Sequence, residues 1–560
     1  MAKLGDILIQ RKWLTQEQLS KALQESARNG GELLGKTLLR LALITESQFL
    51  EALAEQLCIP FSPNLQNLTV APEVVKAVPA KFVWHYQFMP LSIQGSMLTI
   101  AVSDPLAVWA LEDLKLHIGF DVQRVLATQQ EIVGAIRRYY GLAAETVEEI
   151  LTHSQSAADQ IRAEQEAPAD DIDKGADQVS VIKLVNQILL EAVHSRATDI
   201  HIEFYKDEVR IRYRIDGVMY NVRMPEELRF LHRSIVSRIK ILANLNVVEN
   251  RLPQDGRAMV RIQDKKIDLR VSIIPSLNGE NVVIRILPVH LLLKLEELGF
   301  EARDLQMMDQ LTQKPHGIIF LTGPTGSGKT TSLYACLTRL NKEGTKIITI
   351  EDPVEYELKG VMQIQVRAEI GFTFANALRS VLRHDPDIMM VGEVRDLETA
   401  ELAIRTALTG HLIFSTLHTN DACSGGPRLI DIGIEPYLVA SSVEAFISQR
   451  LVRVICLHCK RERRNRDSVP VELKDQIIFE GAGCENCQMT GYKGRIAIYE
   501  ILLMNEELRK CVLNKAPASE IMRTAKQFGF HSLRDAGLLK VCQGLTTPEE
   551  VLRVSDSTVV

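Results

Sequence analysis

Three features of this 560-residue chain predict an α/β fold of several domains, with a parallel-sheet core in the second half. An apolar strand at 317–322 runs into a glycine-rich loop and then a helical stretch. Further apolar strands at 346–351, 388–393 and 412–417 alternate with helical segments, the pattern of a parallel-sheet core. Two Cys-x-x-Cys pairs, beginning at Cys456 and Cys484, mark a small separate element beyond that core.

Composition is globular, with 46% hydrophobic and 24% charged residues, and the length allows more than one core. A formal net charge of −6 argues against a protein that coats nucleic acid. No apolar run is long enough to span a bilayer, and the N-terminus lacks the apolar stretch of an export signal. These features lead us to expect a cytoplasmic protein that meets membrane only peripherally. In a reducing compartment the paired cysteines read as metal ligands rather than disulfides.

The elements follow in order. Residues 1–60 form a helical tandem-repeat domain of period 30, with Leu4-Gly5 matched by Leu34-Gly35, Thr15 by Thr45 and Gln18 by Gln48. Each copy predicts a short helix, a turn and a threonine-capped helix. Residues 61–140 form a mixed α/β domain, with a strand at 97–102 and a closing helix at 129–140. Residues 141–178, with ten acids against two bases, are an acidic linker. An amphipathic helix then opens an α/β sensor-like domain over 179–298, with strands at 209–213 and 266–274. The core covers 299–455, the four-cysteine insertion 456–500, and a helical region 501–560.

Gly323-Pro324-Thr325-Gly326-Ser327-Gly328-Lys329-Thr330-Thr331 carries the clearest chemistry. The glycines let several amides converge on phosphates, and the helix beginning there directs its positive dipole end at the anion. Lys329 reaches the β- and γ-phosphates of ATP, and the Thr330 hydroxyl serves Mg²⁺. Such a site needs carboxylates for the metal and for water. Glu351 to Glu355, at the end of one strand, and Glu393, at the end of another, supply candidates. Gly392 precedes Glu393 where an aspartate is usual, so Glu393 must act alone on that strand. His411 and His418 bracket a further strand, placed to sense the terminal phosphate. Cys456, Cys459, Cys484 and Cys487 give four thiolates in two knuckles 24 residues apart, a closed structural zinc site.

Taken in order, the phosphate loop, Ile350-Glu351-Asp352-Pro353-Val354-Glu355, Asp385-Pro386-Asp387 through Gly392-Glu393-Val394-Arg395-Asp396 and the histidine segment resemble the secretion ATPase superfamily. The similarity, over residues 60–555, is specifically to the assembly ATPases of type II secretion and type IV pili. It implies a P-loop, RecA-like ATPase core preceded by a PAS-like α/β domain, assembled as a homo-hexamer. It also implies a motor at the inner membrane that works with platform and docking proteins to assemble pilin-like subunits. In that family Glu355 matches the water-activating carboxylate and Glu393 the metal-side glutamate, and His411 and His418 match a histidine box. Arg257 and Arg270 match arginines that approach the nucleotide at a domain or subunit boundary. Asn281 stands where the family usually has arginine.

The N-terminal repeat resembles a tandem motif that binds cyclic di-GMP in some of these ATPases. Lys3 and Leu33 replace its arginines, Lys12 and Ala42 its turn glycines, and Ser26 its first glutamine. Losing both guanidiniums weighs against cyclic di-GMP and favours a docking module for a membrane-platform partner. Three rivals remain at this point: a pilus retraction motor, a DNA-handling ATPase with a zinc ribbon, and a nucleotide-gated scaffold. The zinc insertion and long N-terminal region oppose the first. The basic run Lys460–Arg466 favours the second, although it lacks interleaved aromatics and no nucleic acid is expected. The two retained glutamates oppose the third.

Overall fold

The computed structural model describes residues 3–28, 33–65, 68–105, 119–144, 146, 147, 150, 181–262, 265–287, 293–464 and 469–555. The acidic linker expected at 141–178 lies outside these residues from 151 onward. Two compact units divide the chain, residues 1–287 and 288–560.

The first unit opens with the repeat as helices α1 (Leu4–Gln10), α2 (Gln16–Arg28), α3 (Leu34–Arg40) and α4 (Glu46–Leu57). Thr15 Oγ1 accepts the Gln18 amide at 3.3 Å while the Thr15 amide donates to Gln18 Oε1 at 2.9 Å. Thr45 and Gln48 repeat both bonds at the same distances. These reciprocal caps explain why both residues recur at the 30-residue period. The glycines recur for packing: a Cβ on Gly5 would stand 2.9 Å from Leu19, and one on Gly35 2.2 Å from Phe49.

Lys12 and Ala42 occupy the matching turns at φ 60° and 51°, in the left-handed region that favours glycine. Both are exposed, so glycine there loses no packing. Lys12→Gly and Ala42→Gly are each expected to stabilise the repeat by about 1 kcal/mol or less, read as a raised denaturant midpoint. A midpoint that stays or falls in both variants would show that these turns carry no strain.

Helices α5 (Pro72–Ala77) and α6 (Ala80–Tyr86) lead to strands β1 (Met89–Gln94), β2 (Met97–Val102) and β3 (Asp121–Leu126) and helix α7 (Gln129–Tyr140). The sheet pairs β1 antiparallel and β3 parallel to β2, around Val83, Phe88, Leu98, Ile100, Leu126 and Ile132. The strand and closing helix expected here are found at those residues.

Helix α8 (Val181–His194) precedes β4 (Ala197–Phe204), β5 (Val209–Ile215) and β6 (Val218–Val222). Helix α9 (His232–Leu242), β7 (Gln254–Ile262), β8 (Lys265–Ser276) and β9 (Gly279–Leu287) follow. The strands form one antiparallel sheet in the order β6-β5-β4-β9-β8-β7. Alternation sends Ile200, Ile202 and Phe204 into a core shared with α8 and α9, leaving Asp199, His201 and Glu203 on the other face. Asn281, at the family's arginine position, accepts the Phe204 amide at 2.9 Å and so supports the end of β4.

The second unit contains helix α10 (Ala302–Thr312), strand β10 (Gly317–Thr322), helix α11 (Lys329–Leu340) and strands β11 (Ile347–Glu351) and β12 (Met362–Gln365). Helix α12 (Phe374–Val381), β13 (Ile388–Val391), α13 (Leu397–Leu408) and β14 (Leu412–Leu417) continue the alternation. Helices α14 (Gly425–Ile432) and α15 (Pro436–Ser442) then precede the long β15 (Val443–Ile455). The main sheet runs β12-β11-β13-β14-β10-β15-β18, with β18 spanning Tyr492–Leu503, and all neighbours are parallel except β15 and β18.

Every residue of β10, β11, β13 and β14 is buried, because helices cover both faces. Ile318 and Phe320 enter one core, Ile319 and Leu321 the other. Between β15 and β18 the chain forms a two-stranded ribbon, β16 (Lys460–Glu462) and β17 (Phe479–Gly481).

Helices α16 (Glu506–Leu513), α17 (Ala518–Gln527), α18 (Leu533–Cys542) and α19 (Pro548–Ser555) close the unit. Glu550 fastens α19 to β15 through Arg453 at 2.7 Å, with Arg553 also at 2.8 Å. Burial opposes its ionisation, yet these guanidinium bonds hold its carboxyl down to about 2.

Candidate active site

The parallel strands end along one edge of the sheet, the edge where α/β folds place ligands. Thr322 lies beside Leu417 and Ser448 there, Val391 beside Ser415, and Ile350 beside Val391. The glycine-rich loop, Glu393, His418 and the 351–355 segment leave the sheet at this edge.

Pro324, Thr325 and Gly326 are exposed, so the loop backbone is open to approach. Gly323 adopts φ 142°, and a Cβ there would stand 2.7 Å from the Gln449 carbonyl and 3.0 Å from an Arg450 nitrogen. Gly328, at φ 88°, caps α11 and faces the Gln449 side-chain nitrogen. Lys329 donates to the carbonyls of Gly323 at 2.7 Å and Pro324 at 3.0 Å. Burial lowers its amine to about 8, with Arg450 reinforcing the shift and Glu393 opposing it. Thr330 and Thr331 are half-buried at the start of the helix.

A cationic loop of this kind fits a polyphosphate. Thr322 Oγ1, Ser327 Oγ and Gln449 Oε1 are buried with no hydrogen-bond partner among the described residues, leaving polar capacity around the loop. The Thr322 and Ser327 hydroxyls can donate, Gln449 Oε1 can only accept, and the two hydroxyls with Lys329 and Thr330 suit ATP and Mg²⁺.

Glu393 is 15% exposed and pairs with Arg395 at 2.6 Å and His418 Nε2 at 3.5 Å. Its strand end is fixed by bonds from Ser415 to the Val391 carbonyl and from Thr416 to the Gly392 carbonyl. The glycine before it has a steric reason: a Cβ on Gly392 would lie 3.2 Å from the Ile350 carbonyl.

The structure separates two pairs of like residues. Glu351, 3% exposed, has both oxygens engaged by Tyr334, Thr349 and Gln363, so it belongs to an internal network rather than to the nucleotide edge. Glu355 stands half-buried further along, its amide donating to Tyr334 Oη at 3.4 Å. His418, 47% exposed, follows β14 at the loop edge, whereas His411 precedes it. Roughly 20 Å of strand therefore lies between the histidines. His411 Nδ1 instead meets Thr409 Oγ1 and the Thr406 carbonyl, both at 3.2 Å, at the end of α13.

Arg257 and Arg270 face each other on β7 and β8, and the row continues through Arg285, Asp199 and Arg214. Asp199 is held by Arg285 at 3.0 Å and Arg214 at 3.7 Å, which leaves the row net positive.

Sequence reading missed Gln449 and Arg450, which press on the loop from β15. Their signal was available: Ser448-Gln449-Arg450 stands between the apolar runs Ala445–Ile447 and Leu451–Val452.

The four cysteines close the open end of the β15–β18 pair. Sγ atoms lie 3.8 Å apart for Cys456–Cys484 and Cys459–Cys487, and 3.7 Å for Cys484–Cys487. A tetrahedral zinc with Zn–S bonds of about 2.3 Å requires S···S separations of about 3.8 Å. The donor set therefore fits zinc, and His458, exposed between two ligands, is outside the cluster. Asp421, Cys423 and Glu500 also converge, but their carboxylates are already engaged. Glu500 accepts the amides of Ala422 and Leu533, and Asp421 accepts the amide and the hydroxyl of Ser424.

A family profile described as "Type II/IV secretion system protein" matches residues 174–553, which contain this whole site. The chain belongs to that family. A second profile, the MshEN domain, matches residues 57–146. This secretion-system protein is 41% identical to "Type IV pilus assembly ATPase PilB" of Myxococcus xanthus, over 98% of each chain. It is 40% identical to "Type II secretion system protein E" of Xanthomonas campestris, over 99% of this chain and 98% of that one. The X-ray structure of the Yersinia pseudotuberculosis ATPase DotB aligns with TM-score 0.51 at 21% identity, over 70% of this chain and 95% of that one, which supports the fold. Family membership makes the protein an ATP hydrolase of a pilus or secretion system. Among the described residues no helix is long and apolar enough to cross a membrane.

Proposed function

We propose that this secretion-system ATPase works as a homo-hexamer on the cytoplasmic side of the inner membrane. There it drives assembly of pilin-like subunits for type IV pilus extension or type II secretion. The observation that carries this reading is the convergence of the loop, Lys329, Glu393 and the Glu355 segment at one sheet edge, in a chain similar throughout to both kinds of assembly ATPase.

In this reading the loop amides and Lys329 hold the phosphates of ATP, with Thr330 and Glu393 on the side of Mg²⁺. The metal, when bound, neutralises charge on the β- and γ-phosphates. Glu355 orients and deprotonates the attacking water. Arg257 and Arg270 complete the site when domains or subunits close, and reopening after hydrolysis supplies the mechanical step. His418, beside Glu393, is the histidine placed to report on the terminal phosphate. The repeat at 1–60 serves as a docking module for a membrane-platform partner, with cyclic di-GMP the weaker reading because the arginines are replaced.

The DNA-handling alternative loses its footing in the basic run. Lys460 lies over the Phe479 ring at 4.4 Å, Arg461 pairs with Glu480 at 2.8 Å, and Arg463 pairs with Glu549. Asn465 and Arg466 lie outside the described residues.

The test is steady-state Mg²⁺-ATPase activity with oligomer mass recorded on the same samples. Turnover confined to a hexameric fraction, and stimulated by inner-membrane platform protein, is the expected result. Full turnover by monomers, or stimulation by DNA alone, would overturn the assembly-motor reading.

A further inference from the structure

The segment that carries Glu355 hangs from a buried polar network centred on Tyr334. This tyrosine lies on α11, five residues after Lys329, and is fully buried. Its hydroxyl donates to Glu351 Oε2 and accepts the Glu355 amide at 3.4 Å and Gln363 Nε2 at 3.3 Å. Thr349 Oγ1, at 2.5 Å, and Gln363 Nε2, at 3.1 Å, satisfy Glu351 Oε1. Gln363 also donates to the Tyr356 carbonyl at 3.1 Å and accepts the Leu358 amide at 2.6 Å. The Tyr334 and Tyr356 rings meet edge to face, centroids 4.6 Å apart.

Two consequences follow from chemistry. A buried carboxylate is tolerated only when donors surround it, so Glu351 fixes the direction of the Tyr334 O–H. Burial and the Glu351 charge both push the phenol up, so it stays protonated and donates to Glu351. The tyrosine lone pairs are thereby left to accept from Glu355 and Gln363. The helix that begins at the phosphate-binding lysine is thus tied through one hydroxyl to the backbone of the acidic segment.

We propose that Tyr334 is a positioning residue for hydrolysis: its hydroxyl fixes where Glu355 stands relative to the phosphate loop. This rests on the proposed water-activating role of Glu355. Small displacements of a catalytic group cost large rate factors, whereas phosphate binding by Lys329 and the loop amides does not depend on this bond.

The experiment compares Tyr334→Phe, Thr349→Val and Glu355→Gln in the full chain, with melting temperature, kcat and KM for ATP measured on each. Tyr334→Phe keeps the ring contact with Tyr356 and removes only the hydroxyl. Thr349→Val removes a donor from Glu351 without touching the Glu355 amide. The expected result is a kcat at least about tenfold lower in Tyr334→Phe, with KM changed less than about twofold. Thr349→Val should lose stability but keep kcat within about twofold. In the Glu355→Gln background, Tyr334→Phe should add less than about twofold, because the positioned group is already gone.

An unchanged kcat in Tyr334→Phe, beside an inactive Glu355→Gln, would overturn the positioning role while leaving Glu355 in place. Equal kcat losses in Tyr334→Phe and Thr349→Val would overturn it too, as the mark of a purely structural network. A fully active Glu355→Gln would instead overturn the underlying reading. If Tyr334→Phe does not fold, 4-aminophenylalanine at position 334 carries the same expectation, since its aniline still donates to Glu351 but is a poor acceptor for the Glu355 amide; unchanged kcat there overturns the role.

Discussion

Glu355→Gln is expected to lower kcat by at least about 100-fold while leaving Mg²⁺-ATP affinity within about twofold of the wild type. Glutamine preserves the shape of the side chain and the amide that donates to Tyr334, so the segment stays where it is. It removes only the capacity to take a proton from water, which is the contribution assigned to this carboxylate. The neighbouring acid offers the internal contrast. Glu351 is enclosed by three donors, and glutamine there would set its own N–H₂ against at least one of them. Its substitution should therefore act through stability rather than selectively on turnover. Steady-state kinetics with nucleotide-binding calorimetry separates the two. Equal hydrolysis by wild type and Glu355→Gln would remove Glu355 from the chemistry and make Glu393, already at the loop edge, the next carboxylate to test.

Much of the nucleotide edge was legible because the signals are local. A strand, a glycine-rich turn and a helix must be contiguous for a phosphate loop, and 317–340 forms them in that order. The buried strands at 347–351, 388–391 and 412–417 announced themselves as short apolar runs, since a sheet covered on both faces has no polar alternation. The threonine caps of the repeat were legible for the same reason, whereas the return bonds to Gln18 and Gln48 were seen only in the structure.

What sequence did not reveal depends on distant chain segments or on side-chain direction. The resemblance singled out Glu355, but the burial of Glu351 emerges only when Tyr334 and Gln363, brought in from α11 and β12, claim it. The placing of Gln449 and Arg450 on the loop requires β15 to pair with β10, more than a hundred residues away. His411 is a different case. It precedes its strand while His418 follows, and parallel strands expose their ligand edge only at the carboxyl end. The separation of the two histidines was therefore readable from chain polarity. Asn281 shows the limit of a resemblance: the departure from arginine was visible, but its bond to the Phe204 amide was not.

The second large effect is expected at the cysteines. The purified chain should carry one zinc, and Cys456→Ser combined with Cys484→Ser should lose it. Residues 456–491 should then lose hydrogen-exchange protection while ATP affinity stays within about twofold. The local character follows from where the site sits. Cys456 comes directly after the last residue of β15, whose Ile455 is opposite Tyr492 at the start of β18, so the metal closes the far end of that strand pair. Apart from the Lys460–Phe479 contact and the ion pairs Arg461–Glu480, Arg463–Glu549 and Arg534–Glu472, the ribbon beyond rests on a small core. Among the described residues its apolar core consists of Val469, Leu473 and Ile478 against Val541 and Val551. A structural zinc contributes about 10–16 kcal/mol in isolated zinc-finger peptides, far more than so small a core can replace. The loop end of β15 is anchored separately, through buried Ser448 and Gln449 beside β10 and through Glu500 on β18, which accepts the Ala422 and Leu533 amides. Loss of metal should therefore fray the pair from Ile455 outward and stop before the nucleotide edge. Retained protection across 456–491 in the metal-free variant would show that the ribbon folds without zinc. A collapse of ATP binding would show instead that the knuckle and the phosphate loop unfold as one unit.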